Sequence, residues 1–175
     1  MNQLPDSPRK MGTTMLMLAW LVLFGLLAMF FDDWLGQQQN PNQVPLSRDN
    51  RGIREVVLLP NRQHHYVVNG SINNSNEKIT FLLDTGATDV VLPLQLAQRL
   101  GLKSGRKQFA TTANGRVTVY STLLDSIQVG DIHLQQVRAS INPSMHENVV
   151  LLGMSALRQI EFTQRGDTLI LRQLD

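Results

Sequence analysis

The sequence predicts an all-β domain, a compact and mostly antiparallel barrel or sandwich with one or two short helices, preceded by a single membrane-spanning helix. Three observations lead there. Residues 11–31, MGTTMLMLAWLVLFGLLAMFF, carry no charge. From Gly52 onward, short runs of β-branched and aromatic residues alternate with turn-forming clusters. Neither a βαβ alternation nor an internal repeat interrupts that pattern.

The uncharged run of 21 residues would span roughly 32 Å as a helix at about 1.5 Å per residue, enough to cross a bilayer core. It is apolar on every face, whereas a buried helix of a soluble protein keeps polar alternation at its flanks. A cleaved signal peptide has a shorter apolar core and small residues before its cleavage point. Here Met29, Phe30 and Phe31 occupy those places, so an uncleaved anchor is expected over 11–31. Arg9 and Lys10 precede the run and Asp32 and Asp33 follow it. The positive-inside rule then puts residues 1–10 in the cytoplasm and the C-terminal bulk beyond the cell membrane. That far side is the periplasm if the membrane is a bacterial inner membrane, and otherwise the exoplasmic face. Trp34 stands at the exit, where an amphipathic ring suits the interface. Residues 32–51 read as a flexible linker, because GQQQNPNQVPLSRDNR at 36–51 is rich in Gln, Asn and Pro. Its reach would be roughly 20–25 Å.

The β-domain is expected over 52–175. IREVVLL (53–59) and HHYVVNGSI (64–72) read as strands; NNSNE (73–77) is turn chemistry, and KITFLL (78–83) completes a hairpin. PLQLAQRLG (93–101) is the clearest helix, with Pro93 at its start, Leu96, Ala97 and Leu100 on one face and Gly101 past its end. Strand patterns return at 116–128 and 132–141 around Val129-Gly130-Asp131, and GMSALRQI (153–160) suits a short helix. EFTQRGDTLILRQL closes the domain as two strands around a Gly-Asp turn. Six or seven strands result.

Composition excludes several functions. From Gly52 onward there are twelve Lys/Arg against ten Asp/Glu and no basic cluster interleaved with aromatics, so no nucleic-acid partner is expected. The chain has no cysteine, which removes disulfides and thiolate chemistry. His64 and His65 are adjacent and would point to opposite faces of a strand, while His133 and His146 stand alone. No metal and no cofactor is expected. Ser144 and Ser155 have no nearby His and Asp that would make a triad. Arg165-Gly166-Asp167 sits between strand patterns as a turn.

The residue that asks for a reason is Asp84, in FLLDTGATDVVLP at 81–93. A bare Asp-Thr-Gly is usually a hydrated turn. This one is bounded by Phe81-Leu82-Leu83 and Val90-Val91-Leu92. A loop buried on both sides must satisfy its backbone and give the carboxylate specific partners. The flanks therefore place Asp84 in a dry cleft.

LLDTGATDVVL resembles the active-site loop of the retropepsin-like (retroviral-type) aspartic proteases, and more narrowly that of their bacterial membrane-anchored relatives. NVVLLGMSAL (148–157), with Leu151, Leu152 and Gly153, resembles the family's second motif, an apolar run ending in Gly that packs across the catalytic loop. The resemblance covers about residues 55–173. It implies a retropepsin-like β-barrel in which Asp84 is the catalytic carboxylate. It also implies that Thr85 bonds across two loops, Gly86 lets the backbone approach substrate and Ala87 leaves room. Two carboxylates sharing one proton would activate a water against a peptide bond. Only one Asp-Thr-Gly occurs, and Asp89 is too near in sequence to be its partner. A homodimer with one Asp84 from each copy follows, acting on a peptide or protein substrate. The family's flap would fall on FATTANGRVTVY (109–120), with Thr112, Ala113, Asn114 and Gly115 over the peptide; an ordinary surface hairpin fits that stretch equally. Thr88 and Met154 stand where retroviral members carry a paired Asp and Arg. An alternative from another class keeps the dimer as a tethered, non-catalytic binding or scaffolding module.

Overall fold

Residues 8–50, 52–112 and 115–174 are described by a computed structural model. The chain divides into two units, Met1–Gln38 and Gln39–Asp175. Within the first, helix α1 (Pro8–Gln39) carries the uncharged run, and its described side chains from Gly12 to Phe31 are all exposed. Gly12–Gln39 is long and apolar enough to cross a membrane. Helical structure stops at Gln39 because Asn40 precedes Pro41, whose ring disfavours helical backbone in the residue before it.

The second unit contains β1 (Leu46–Asn50), β2 (Ile53–Leu58), β3 (Val67–Ile72), β4 (Ile79–Leu83), β5 (Val90–Pro93), α2 (Leu94–Arg99), β6 (Lys107–Thr112), β7 (Gly115–Val129), β8 (Ile132–Asn142), β9 (Val149–Leu152), α3 (Met154–Leu157), β10 (Glu161–Arg165) and β11 (Thr168–Leu174). One sheet runs β3-β4-β9-β5-β8-β7-β6 and closes on itself through β3–β7; the other runs β1-β2-β11-β10. The all-β class expected from the sequence is the observed one. Pairing is mostly antiparallel, with two parallel exceptions, β4–β9 and β5–β8. Eleven strands among the described residues exceed the six or seven expected. Two of the extra strands, β5 and β9, are four-residue apolar runs without polar alternation, and none of their residues is fully exposed.

Phe81, Ile72, Ile127, Leu134, Leu152 and Leu157 form the centre of one core with essentially no exposure. Helix α2 lays Leu96 and Ala97 onto it. Gly101 follows at φ +66°, the left-handed conformation that ends helices, while its N–H donates to the Gln98 carbonyl.

The expected flexible linker over 32–51 is corrected. Helix continues to Gln39, and β1 pairs in register with β2 from Leu46↔Val57 to Asn50↔Ile53. Between them Asn40 and Asn42 are buried. Asn42 donates from Nδ2 to the carbonyls of Leu59 and Val67 at 2.8 and 2.7 Å, and its Oδ1 accepts the Leu59 N–H at 2.8 Å. Asn40 Nδ2 donates to Asn69 Oδ1 at 2.9 Å, and Asn69 Nδ2 donates to the Gln43 carbonyl at 3.1 Å. The composition that reads as a tether is here a set of amides satisfying buried backbone. A second correction concerns His64 and His65. They lie in a tight loop before β3, where Asn61 Oδ1 accepts the N–H groups of Gln63 and His65, and His64 has φ +60°.

Candidate active site

β4 ends at Leu83 and β5 begins at Val90; the loop between them carries Asp84, Thr85, Gly86 and Ala87. The loop turns because the Gly86 N–H donates to Asp84 Oδ1 at 2.9 Å and the Ala87 N–H to the Asp84 carbonyl at 3.2 Å. The first bond also fixes the carboxylate over its own loop. A Cβ on Gly86 would lie 3.1 Å from that same oxygen, so a larger residue would press on the carboxylate.

β9 enters between the two strands that flank this loop. Leu82 and Leu83 pair in parallel with Leu151 and Leu152 of β9, and Val91 pairs with Leu151 from the other side. The Asp84 N–H donates to the Leu152 carbonyl at 3.2 Å. At Gly153 the backbone passes so close that a Cβ would run into the carbonyl oxygens of Asp89 and Ala87. Only glycine fits there, and this close passage lets α3 reach the loop. The Met154 N–H then donates to the Ala87 carbonyl at 2.8 Å and the Ser155 N–H to the Thr88 carbonyl at 2.9 Å. Two segments distant in sequence, 84–88 and 151–155, are thus one hydrogen-bonded unit.

Positions 88 and 154 carry no charge and no hydrogen bond links them: the Thr88 carbonyl accepts the Ser155 N–H, and Met154 packs its side chain against the core. The ion pair near the loop belongs to Asp89, whose Oδ1 lies 3.5 Å from Arg138 Nη2. That oxygen is buried and makes no hydrogen bond, so the contact is a loose charge pair.

Ser155 is the site residue that sequence reasoning passed over. Its buried Oγ donates to the Arg138 carbonyl at 2.7 Å and accepts the Val90 N–H at 3.0 Å. It ties α3 to β8 and to the first residue of β5. The available signal was a small hydroxyl in the otherwise apolar MSAL, two residues after Gly153.

The dry cleft is corrected for the single chain. Phe81, Val90 and Leu92 are buried beneath the loop, but Asp84 and Ala87 are only half-buried and Thr85, Gly86 and Thr88 are exposed. The apolar flanks anchor the loop from below and leave its outer side open, in a shallow depression lined by Thr85, Gly86, Ala87, Thr88, Met154 and Arg158.

β6 and β7 form the expected hairpin, in register from Lys107↔Tyr120 to Thr112↔Gly115. Thr112 Oγ1 donates to the Gly115 carbonyl at 2.9 Å, and Gly115 has φ +105°. Ala113 and Asn114, the expected tip, lie outside the described residues. The Arg116 guanidinium sits 4.1 Å from the centroid of the Phe109 ring on the exposed hairpin.

Comparison with known proteins accords with this geometry. Residues 68–159 match a family model described as "gag-polyprotein putative aspartyl protease". The crystal structure of a retropepsin-like aspartic protease from Rickettsia conorii superposes with a TM-score of 0.55 at 27% identity, covering 74% of this chain and 94% of that one. An uncharacterized protein in the cobV 5′ region of Sinorhizobium sp. is 31% identical over 75% of this chain. An uncharacterized protein of Rickettsia prowazekii (strain Madrid E) is 28% identical over 73% of it. The matched part spans 58% and 55% of the lengths of those two relatives.

Proposed function

Because this chain belongs to the retropepsin-like aspartic protease family, we propose that it is an aspartic endopeptidase whose working unit is a homodimer, anchored to the cell membrane by α1. Asp84 of each copy supplies one of two facing carboxylates. The observation that carries this reading is the mounting of Asp84: backbone tied to Leu152, carboxylate fixed by Gly86, and outer side open. A carboxylate held this firmly at a surface is half of a site. Asp89, the next carboxylate along the chain, is turned to Arg138.

In the dimer, two like charges in contact cannot both persist, so the pair holds one proton. The ionised carboxylate takes a proton from water as its oxygen bonds to the scissile carbonyl carbon, and the protonated carboxyl donates to the carbonyl oxygen. The C–N bond then breaks as a proton passes to the leaving nitrogen. Thr85 bonds across the two loops and the β6–β7 hairpin covers the peptide, a reading supported by the exposure of Thr85 and of most of the hairpin. Residues 1–10 then lie in the cytoplasm and the β-domain on the periplasmic or exoplasmic side, a reading that the charges flanking the uncharged run support.

The test is cleavage of an unstructured polypeptide, such as reduced and alkylated casein, by the full chain in detergent micelles over a range of pH. Asp84→Asn should lose activity by roughly 10²–10⁴-fold. Equal inertness of wild type and Asp84→Asn, both confirmed as dimers, would leave the non-catalytic binding module as the function.

A further inference from the structure

Between Asp89 and Asp125 the chain has no acidic residue, and the cations Lys103, Arg106, Lys107 and Arg116 all fall in that stretch. Without these four, the residues from Gly52 onward carry eight Lys/Arg against ten Asp/Glu. The positive excess of the domain therefore resides in the β6–β7 hairpin and the loop that leads into it. In sequence the four are dispersed over 103–116 around a single aromatic, Phe109, so no cluster shows there.

Folding gathers them. The register of the hairpin, with Phe109 opposite Thr118 and Thr111 opposite Arg116, puts Lys107, Phe109, Thr111 and Arg116 on one face. Val119, on the other face, is buried, so the face with Phe109 turns to solvent. Its ring is 59% exposed, with the Arg116 guanidinium 4.1 Å and the Lys107 ammonium 5.8 Å from its centroid. A cation held over a ring keeps its N–H donors for other partners. All four cations are exposed, and among the described residues none of them pairs with a carboxylate. Arg99, Arg138 and Arg172, by contrast, face Glu77, Asp89 and Glu55.

We propose that this outer face of the hairpin docks on a bilayer that carries anionic lipid headgroups. Unpaired cations around an exposed ring complement a layer of phosphates above an apolar interior: the cations take the headgroups and the ring enters the interface. The same chain holds Gly12–Gln39, long and apolar enough to cross a membrane. Covalent connection to such a helix raises the effective concentration of bilayer around the β-domain. A face with one ring offers no series of aromatics on which nucleic-acid bases could stack. The inference rests on the membrane anchoring proposed above and goes beyond it. The hairpin proposed to cover the peptide is held at the bilayer, and polypeptides at the membrane surface become the substrates within reach.

The chain has no cysteine, so single-cysteine probes read position without background. Thr111→Cys in the full chain is labelled with an environment-sensitive fluorophore. The protein is reconstituted into phosphatidylcholine vesicles with or without phosphatidylglycerol, each containing a lipid with a headgroup nitroxide quencher. Quenching at position 111 should be about fivefold or more stronger with phosphatidylglycerol, since each cation near an anionic surface contributes about that factor. It should fall to the phosphatidylcholine level in about 1 M salt, where screening shortens to roughly 3 Å. Lys107→Glu combined with Arg116→Glu should abolish the difference. A probe on Gln135→Cys, exposed opposite Ser126 in the far part of β7, should stay unquenched in both lipids. The substituted positions are exposed, so an unchanged melting transition checks folding.

Equal quenching in the two lipids, equal quenching at Gln135→Cys, or indifference to the double charge reversal would overturn the docking. So would a Thr111→Cys probe that responds to soluble polyglutamate and not to phosphatidylglycerol, which assigns the face to an acidic polypeptide. Carbonate extraction tests the anchor separately. A chain released by it loses the anchoring reading, while the lipid dependence of quenching before extraction still decides the hairpin.

Discussion

The backbone N–H of Asp84 donates to the carbonyl of Leu152 at 3.2 Å, across the parallel pairing of β4 and β9. Through this bond the position of the carboxylate depends on a strand that is distant in sequence and adjacent in the sheet. Gly153 comes next, and its closeness to Asp89 and Ala87 makes it the tightest point of the arrangement. Gly153→Ala should destabilise the domain by about 3 kcal/mol or more, because backbone atoms have to move to admit a methyl group. Gly101→Ala is the contrast. Its Cβ meets open space, so only the strain of φ +66° remains, about 1 kcal/mol. Chemical denaturation of both variants measures the difference.

Ser155→Ala should cost about 1–3 kcal/mol, since it removes a hydroxyl that serves both the Val90 N–H and the Arg138 carbonyl and leaves those buried groups unpaired. The same change loosens the start of β5. Under the proposed function, Asp84-dependent cleavage is therefore expected to fall further than the lost folded fraction explains, as measured by turnover under conditions where the variant is fully folded.

Asn42→Ala should destabilise by about 2–3 kcal/mol, with three side-chain hydrogen bonds lost from a buried position. Limited proteolysis should show new cleavage between residues 40 and 50, a stretch now held against the domain by Asn42 and β1. Cleavage confined to the same sites as in wild type would mean that β1 alone holds the segment.

A fragment beginning at Gly52 should be markedly less stable than one beginning at Gln39. The shorter piece lacks β1 and the Asn40–Asn42 contacts, and it turns β2 into an exposed sheet edge. Comparing their melting transitions and their tendency to aggregate tests this; equal transitions would show that residues 39–51 contribute nothing to the fold.

What the sequence determined by itself was local. An uncharged run of 21 residues declares a helix because nothing in it needs water. The stretches around Asp84 and Gly153 declare themselves because apolar runs rarely close on Asp-Thr-Gly or open into Gly-Met-Ser. The β6–β7 hairpin, α2 with Gly101, and the last two strands were legible for the same reason: turn residues and short-range periodicity lie within a few positions of one another.

The tertiary structure decided whatever depends on partners far along the chain. β9 lies between β4 and β5, an order no local pattern encodes. Ser155 matters only because β8 and β5 bring Arg138 and Val90 to it. The Gln- and Asn-rich stretch looks solvated by composition, yet Asn40 and Asn42 are buried because backbone groups of Leu59 and Val67 and the side chain of Asn69 need amides in those places. The openness of the Asp84 loop also belongs to this level. Apolar flanks specify what lies beneath a loop, whereas what lies above it depends on the rest of the fold.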